Sequence, residues 1–380
     1  LRVALVRYDD DLHLLMVTQH HICSDNWSNN VLMHEIGTLY DAYSQGLPDP
    51  LPALPVQYID YAVWQDRWLR DTVLDTQIPY WRETLAGIPE VHNLPLDRPR
   101  PKYQSYRGRQ YTTLVKGPVL DGLQLVGRQN GATLFMVMQA AFSVFLGRYS
   151  GESDIVLGFS VANRLQKELE GLIGFFVNAL VLRSDLSGNP GFTEFLGQVK
   201  RNLLGAYAHP HVPFEVLVDE LKPARSMSYE PIIQVKLIYL DQSQDQGGRG
   251  LIRARSDQSD AVTHAEMQVP YSKYDLTLYF SVVDGALSFT WEYATDIFDA
   301  STIHAMARHF ETLLRSIVAT PYEKVRKLRL LDDEDLARQQ ADGNATPTTA
   351  AGGGSATVAH DFNFSLFYFA SDAGDQAPDK

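Results

Sequence analysis

Apolar residues along the 380-residue chain recur with two periods, two for strands and about 3.6 for helices. Residues 2–8 and 12–18 alternate around Asp9-Asp10-Asp11, a turn composition, so a hairpin is predicted that delivers the chain to His20 and His21 at a strand end. Beyond it Leu32, Ile36, Leu39 and Tyr43 share a helical face, and Ser28 stands where it can cap that helix. Prolines 48, 50, 52 and 55 break the pattern, and residues 58–69 resume it as an aromatic-rich helix. Trp64, Trp68 and Trp81 read as fillers of the core and its interfaces. Further helices are predicted over 134–149, 192–207 and 301–318, and strands over 154–159, 177–182, 232–240, 274–282 and 286–293. Strands that follow strands imply partly antiparallel pairing within a mixed α/β (α+β) fold.

Punctuation divides the chain. Residues 94–101 hold Pro95, Pro99 and Pro101, the composition of an extended connector. From about 339 to 360 the chain turns to Ala, Thr and Gly and cannot bury enough apolar surface to order itself. An apolar, aromatic run of strand length follows at 362–369. The predicted units are 1–93, a connector 94–105, 106–335, a linker 336–360, and a segment 361–380 where a new domain starts.

Composition narrows the function. Hydrophobic residues at 45% and charged residues at 21% describe a folded chain rather than a disordered one. A net charge of −13 without a long Lys/Arg block argues against nucleic acid and a polybasic membrane anchor as partners. The longest strongly apolar run, 171–182, is shorter than a membrane span, which needs about 20 residues. Cys23 is the single cysteine, which excludes an internal disulfide framework and a multi-Cys zinc site and fits a reducing, cytoplasmic setting. The opening alternates like a strand instead of a signal peptide, so the sequence is expected to begin inside a domain.

The densest chemistry is His20-His21-Ile22-Cys23-Ser24-Asp25-Asn26-Trp27-Ser28. Adjacent strand residues point to opposite faces, so only one histidine enters a given cleft and the two have different roles. A histidine can take a proton near neutral pH. Asp25 is placed to hold the loop, and Arg164 is a candidate partner across the cleft, with a surface salt bridge as its alternative. Without context, the two histidines read more readily as a strand end beside a polar loop than as a catalytic pair. A metal set of Cys23, Asp25 and His34 lacks the usual ligand pair at i and i+4 on one helix, so no metal is expected. Asn178, in an apolar strand, either lines a channel or bonds backbone.

The string resembles the HHxxxDG motif of the condensation domains of non-ribosomal peptide synthetases, and other motifs follow in family order. Residues 58–64 resemble YxDYAxW, 94–101 the proline-rich bridge, and 173–178 with Arg183 the IGxFVN segment. Residues 209–215 resemble HQDVPFE, and Arg225, Ser228 and Pro231 match positions of RDxSRNP. The resemblance covers about residues 1–331 and departs in three places. The family's opening motifs are absent, which implies an incomplete first lobe. Asn26 replaces a glycine, and Asn tolerates left-handed geometry while adding a side chain. Pro210 and His211 replace Gln and Asp, removing an acid near a helix start.

The resemblance implies two chloramphenicol-acetyltransferase-like lobes in a V around a channel. It implies amide formation between an acyl donor and an aminoacyl acceptor, each on the phosphopantetheine of an upstream or downstream peptidyl carrier protein, with adjacent synthetase domains as further partners and no cofactor bound directly. His21 would hold or deprotonate the amine, while His20 and Asp25 would support the turn. Asn26, Trp27, Ser28, Asn178 and Arg164 would line the substrate channel, and backbone donors at 26–28 would face the developing oxyanion. Residues 362–375 resemble the first strand and loop of luciferase-like flavin monooxygenases, so FMN would belong only to such a downstream domain. Two alternatives are a non-catalytic docking module that recruits carrier proteins or an oxygenase, and a free-standing acyltransferase using coenzyme A thioesters.

Overall fold

In the computed structural model, which describes residues 1–7, 13–240, 264–269 and 271–331, the predicted hairpin forms. Strands β1 (Arg2–Arg7) and β2 (His13–Thr18) pair antiparallel, Arg2 opposite Thr18 and Arg7 opposite His13. A short 3-10 turn, His21–Cys23, leads into helix α1 (Asn26–Ser44). The cap of α1 is Asp25 rather than Ser28. Its backbone is extended, at φ −121° and ψ −178°, and its carboxylate accepts from the Ser28 N–H at 2.8 Å. Helices α2 (Tyr58–Trp68) and α3 (Leu74–Thr84) run on from each other through one π turn, Leu69–Val73.

The larger sheet has seven strands. They are β3 (Gly108–Val115), β4 (Asp154–Val161), β5 (Asn178–Asp185), β6 (Val235–Tyr239), β7 (His264–Val269), β8 (Leu276–Val283) and β9 (Ala286–Ala294), in the order β5-β4-β6-β8-β9-β3-β7. Among the described strands only β4–β6 and β6–β8 are parallel pairs, in keeping with the mixed α/β expectation. Helices α4 (Val119–Gln129), α5 (Leu134–Ser150), α6 (Phe192–Ala208), α7 (Phe214–Leu221) and α8 (Ala300–Ala319) complete the described elements. The sequence pattern predicted most strands and long helices within a few residues but missed α3, β3, α4 and β7.

Period-two alternation decides what each sheet face does. Phe159, Phe280, Phe289 and Trp291 point one way, into rings of Phe135, Phe142 and Phe145 on α5, Tyr207 on α6 and Phe310 on α8. Each such side chain contributes about 1.5–3 kcal/mol by leaving water. Helix α5 is buried on all sides over Met136–Gly147, which is why its apolar run shows little one-sidedness. The intervening residues Thr277, Tyr279, Thr290 and Glu292 form the opposite, polar face.

Trp81 is 1% exposed and fills the core as expected, whereas Trp64 is 42% exposed and stacks on Trp68 at 4.9 Å between ring centres. Trp64 is therefore a surface residue, a correction to the core reading. Among the described residues no single helix is long and apolar enough to cross a membrane, and no group of three potential ligands could hold a metal ion. The chain divides into units Leu1–Asp333 and Glu334–Lys380. The predicted linker and the strand at 362–369 lie outside the described residues.

The connector is pinned rather than loose. Arg100 grips the Asp275 carboxylate with two bonds, 3.0 and 2.7 Å, and His92 Nε2 contacts it at 2.8 Å. Burial alone would raise the Asp275 carboxyl, but His92 and Arg100 outweigh it and hold it below the usual range. His92→Ala is expected to cost about 1.5–3 kcal/mol, the value of a hydrogen bond to a charged group. Urea unfolding with an unchanged slope checks this; a loss within experimental error would show that Arg100 alone satisfies Asp275.

Candidate active site

The HHxxxD string folds into a capped turn. His20 precedes it in extended conformation, and its Nδ1 accepts from the Ile22 N–H at 3.1 Å. The adjacent histidines therefore differ because a 3-10 turn intervenes, not because they alternate on a strand. His21 is exposed, and its Nδ1 lies 2.5 Å from the Ser24 carbonyl oxygen. A carbonyl only accepts, so Nδ1 carries a hydrogen, and in the neutral ring Nε2 then holds the lone pair. The ring meets Phe175 edge-on, with centres 5.1 Å apart. His21 thus offers a base with a fixed tautomer and a fixed plane.

Beneath it Asp25 is 3% exposed and fully engaged. Oδ1 accepts from the Ser28 N–H at 2.8 Å and from Arg164 Nη2 at 3.3 Å, and Oδ2 accepts from the Phe176 N–H at 3.0 Å. Burial raises this carboxyl, but the contacts with Ser28, the Phe176 N–H and the Arg164 charge prevail and hold it below the ordinary carboxylate range. Asp25 is a buried strut with both carboxylate oxygens bonded.

Arg164 also donates to the Leu169 carbonyl, to the Leu172 carbonyl at 2.8 Å and to Ser28 Oγ at 2.7 Å, and it lies 3.9 Å from the centre of the Phe176 ring. The surface-pair alternative for Arg164 is excluded by its burial at 9% exposure. Ser28 Oγ in turn donates to the Gly174 carbonyl at 2.8 Å. One knot therefore fastens the turn, the start of α1 and the segment 164–176.

Several expected channel residues are placed elsewhere. Ser28 and Arg164 belong to this knot, and because the Ser28 N–H is committed to Asp25 it is not an oxyanion donor. Asn178 Nδ2 donates to the Pro210 and Val212 carbonyls at 2.9 and 2.8 Å, while Oδ1 accepts from the N–H groups of Ala179 and Phe214. Its amide serves backbone and does not line a channel. That bond to Phe214 also satisfies the start of α7, so the acid missing at 210–211 is not needed there. Trp27 is half-buried, with its indole N–H on the Glu170 carbonyl at 2.8 Å. Asn26 is exposed at the first position of α1, outside the left-handed region, so the residue there needs no glycine-like backbone.

Sequence reasoning gave no role to Tyr58, Gly174 and Phe175, although it noted their motifs. Tyr58 donates to the Phe175 carbonyl at 2.9 Å, and a Cβ on Gly174 would come 2.1 Å from Tyr58 Cδ2. Only glycine lets that ring lie flat under the loop that carries Phe175 to His21. The signal was available as an aromatic in one motif and a glycine in the next; their contact was not.

Comparison with known proteins gives the same family as the motifs. A family model described as "Condensation domain" matches residues 1–339. A component of the linear gramicidin synthase of Brevibacillus parabrevis is 43% identical over 348 residues, 91% of this chain and 7% of that protein. Malpibaldin synthetase of Mortierella alpina is 39% identical over 339 residues, 88% of this chain and 6% of that protein. The chain thus spans a small part of these relatives. Among solved structures, the X-domain from teicoplanin biosynthesis aligns with a TM-score of 0.76 at 27% identity, covering 87% of this chain and 74% of that one. A four-domain nonribosomal peptide synthetase bound to AMP and glycine shares the fold, with a TM-score of 0.74 at 24% identity over 88% of this chain and 26% of that one. A family model that matches residues 1–339, together with relatives about 40% identical over some nine-tenths of the chain, leaves one assignment: the chain belongs to the condensation domain family.

Proposed function

We propose that the chain forms an amide bond between an acyl group and an amino acid, each delivered as a thioester on the phosphopantetheine of a carrier protein. The observation that carries this reading is the His21 tautomer, with Nδ1–H on the Ser24 carbonyl and Nε2 open on an exposed face. The amine nitrogen attacks the thioester carbonyl, the C–S bond breaks, and the amine proton passes through Nε2 to the departing thiolate. Thioester aminolysis is downhill, so positioning two tethered reactants and moving one proton is the chemistry required. His20 supports the turn, and Asp25 with Arg164 fixes it. Carrier proteins and neighbouring synthetase domains are the partners of this reading. Residues 362–375 are proposed as the start of a luciferase-like domain that would use FMN.

A second reading, a docking module without catalysis, draws support from the likeness to an X-domain whose structure was also solved in complex with OxyB. Asn26 adds a side chain five residues after His21 where the family motif has none. Asn26→Gly is therefore expected to raise single-turnover amide formation from a short acyl thioester about threefold, under 1.4 kcal/mol of barrier, while costing at most about 1 kcal/mol of stability. No turnover in either form supports docking, and a slower glycine variant refutes the crowding argument.

A further inference from the structure

On the polar face of the larger sheet, one register row holds Gly158, Lys236, Thr277, Glu292 and Gln110 on five neighbouring strands. Paired residues of adjacent strands share a face. At its first position a Cβ on Gly158 would come 2.4 Å from Ile233 Cγ2 and 3.1 Å from Lys236 Cγ, so the absence of a side chain there makes room for Ile233 and, less tightly, for the lysine stem. Lys236 is 7% exposed; Nζ donates to Ser160 Oγ at 3.1 Å and stands 4.7 Å from the centre of the Tyr274 ring. Among the described residues it meets no carboxylate in an ion pair. Thr277, next in the row, is 1% exposed and its hydroxyl has no hydrogen-bond partner. Glu292 follows, accepting from Gln110 Nε2 at 2.8 Å and from the Tyr279 hydroxyl, two bonds that still leave lone pairs on its carboxylate.

A buried hydroxyl without a partner, set between a cation and an anion that do not meet, calls for a group that satisfies all three. A ligand carboxylate would be repelled by Glu292, and an ammonium by Lys236. An alkyl group would leave three polar side chains unpaired. A carboxamide presents an oxygen acceptor and an NH₂ donor on one rigid plane and carries no net charge. We infer that Lys236, Thr277 and Glu292 bind the carboxamide side chain of an amino acid brought to the site, its oxygen toward Lys236 and its nitrogen toward Glu292.

In line with that geometry, burial and then the nearby Lys273 charge pull Lys236 down to about 8, and burial pushes Glu292 up despite its bonds from Gln110 and Tyr279 and the Lys236 charge. Ser160, which accepts from the ammonium, is exposed, so this end of the row reaches solvent. Ser160 also lies four residues before Arg164, a span of at most about 14 Å of chain from the knot under His21. The inference rests on the reading of the chain as a catalyst for tethered amino acids.

Calorimetric titration of the full 380-residue chain tests it, with asparaginyl- and leucyl-pantetheine made hydrolytically stable by an amide in place of the thioester, and with pantetheine alone. Leucine is the apolar isostere of asparagine. Wild type is expected to bind the asparaginyl probe about 10-fold tighter than the leucyl probe, because a site built for hydrogen bonds rejects analogues that lack them. Thr277→Val and Lys236→Met should bring that ratio to about one, and Thr277→Val should keep or raise Tm. A valine variant with raised Tm and an unchanged ratio overturns the inference, since the hydroxyl would then be merely unsatisfied. Equal binding of the two probes by wild type also overturns it, as does pantetheine alone binding as tightly as the asparaginyl probe. Binding needs no chemistry, so a chain that shows the preference and forms no amide keeps the subsite and loses the catalytic reading.

Discussion

His21→Ala is expected to lower amide formation by about 10²–10⁴-fold, the range a positioned acid–base group contributes, and to leave Tm within about 2 °C of wild type. The two halves of the expectation come from the same geometry. His21 is exposed, its ring meets the Ser24 carbonyl and the edge of Phe175, and so it holds little of the fold. Its value lies in Nε2, whose lone pair is kept free by the proton on Nδ1. Single-turnover transfer between loaded carrier proteins, with melting of the same samples, is the measurement. Wild-type rates from a folded alanine variant would remove His21 from the chemistry. His20→Ala makes the contrasting control, because its ring accepts from Ile22 and serves the turn; it should lower stability more than it lowers the rate at saturating substrate.

What could be read from the sequence, and what could not, follows from the range of each signal. Helical and strand periods are local, so α5, α6, α8 and the β8–β9 pair were visible in their own windows. Strand β3 escaped because Arg109, Gln110, Thr112 and Thr113 blur its alternation, and its pairing with β9 lies far along the chain. The motif residues announced the site without its wiring. Asp25 and Arg164 were paired from sequence, but the place of Ser28 in the same knot was not, since the Gly174 carbonyl it bonds lies 146 residues away. Asn178 was misplaced for the related reason that a buried amide reads the same whether its partners are substrate or backbone. The polar row through Lys236 needs the order of five strands before it exists at all.

Asp25→Asn is expected to destabilise the chain by about 3–5 kcal/mol at pH 7, the cost of leaving a buried charge without its counterion. Asparagine cannot replace the carboxylate, because its NH₂ group brings donors to a site where Ser28, Phe176 and Arg164 already donate. The pH dependence follows from the sign of the shift. The folded carboxyl lies below its unfolded value near 3.8, so its stabilisation is complete above that value and is lost as pH falls through the folded pKa. The difference between wild type and Asp25→Asn should therefore be constant from pH 7 to about 5 and shrink below about 4. A cycle with Arg164→Met should show coupling of about 0.5–3 kcal/mol, and the double variant should be more stable than additivity predicts. Activity should fall with the folded fraction and recover where stabilising conditions restore it, since Asp25 presents no oxygen to the reacting atoms. A stable Asp25→Asn variant that is nevertheless inactive would reverse the assignment and move the carboxylate from the knot into the chemistry.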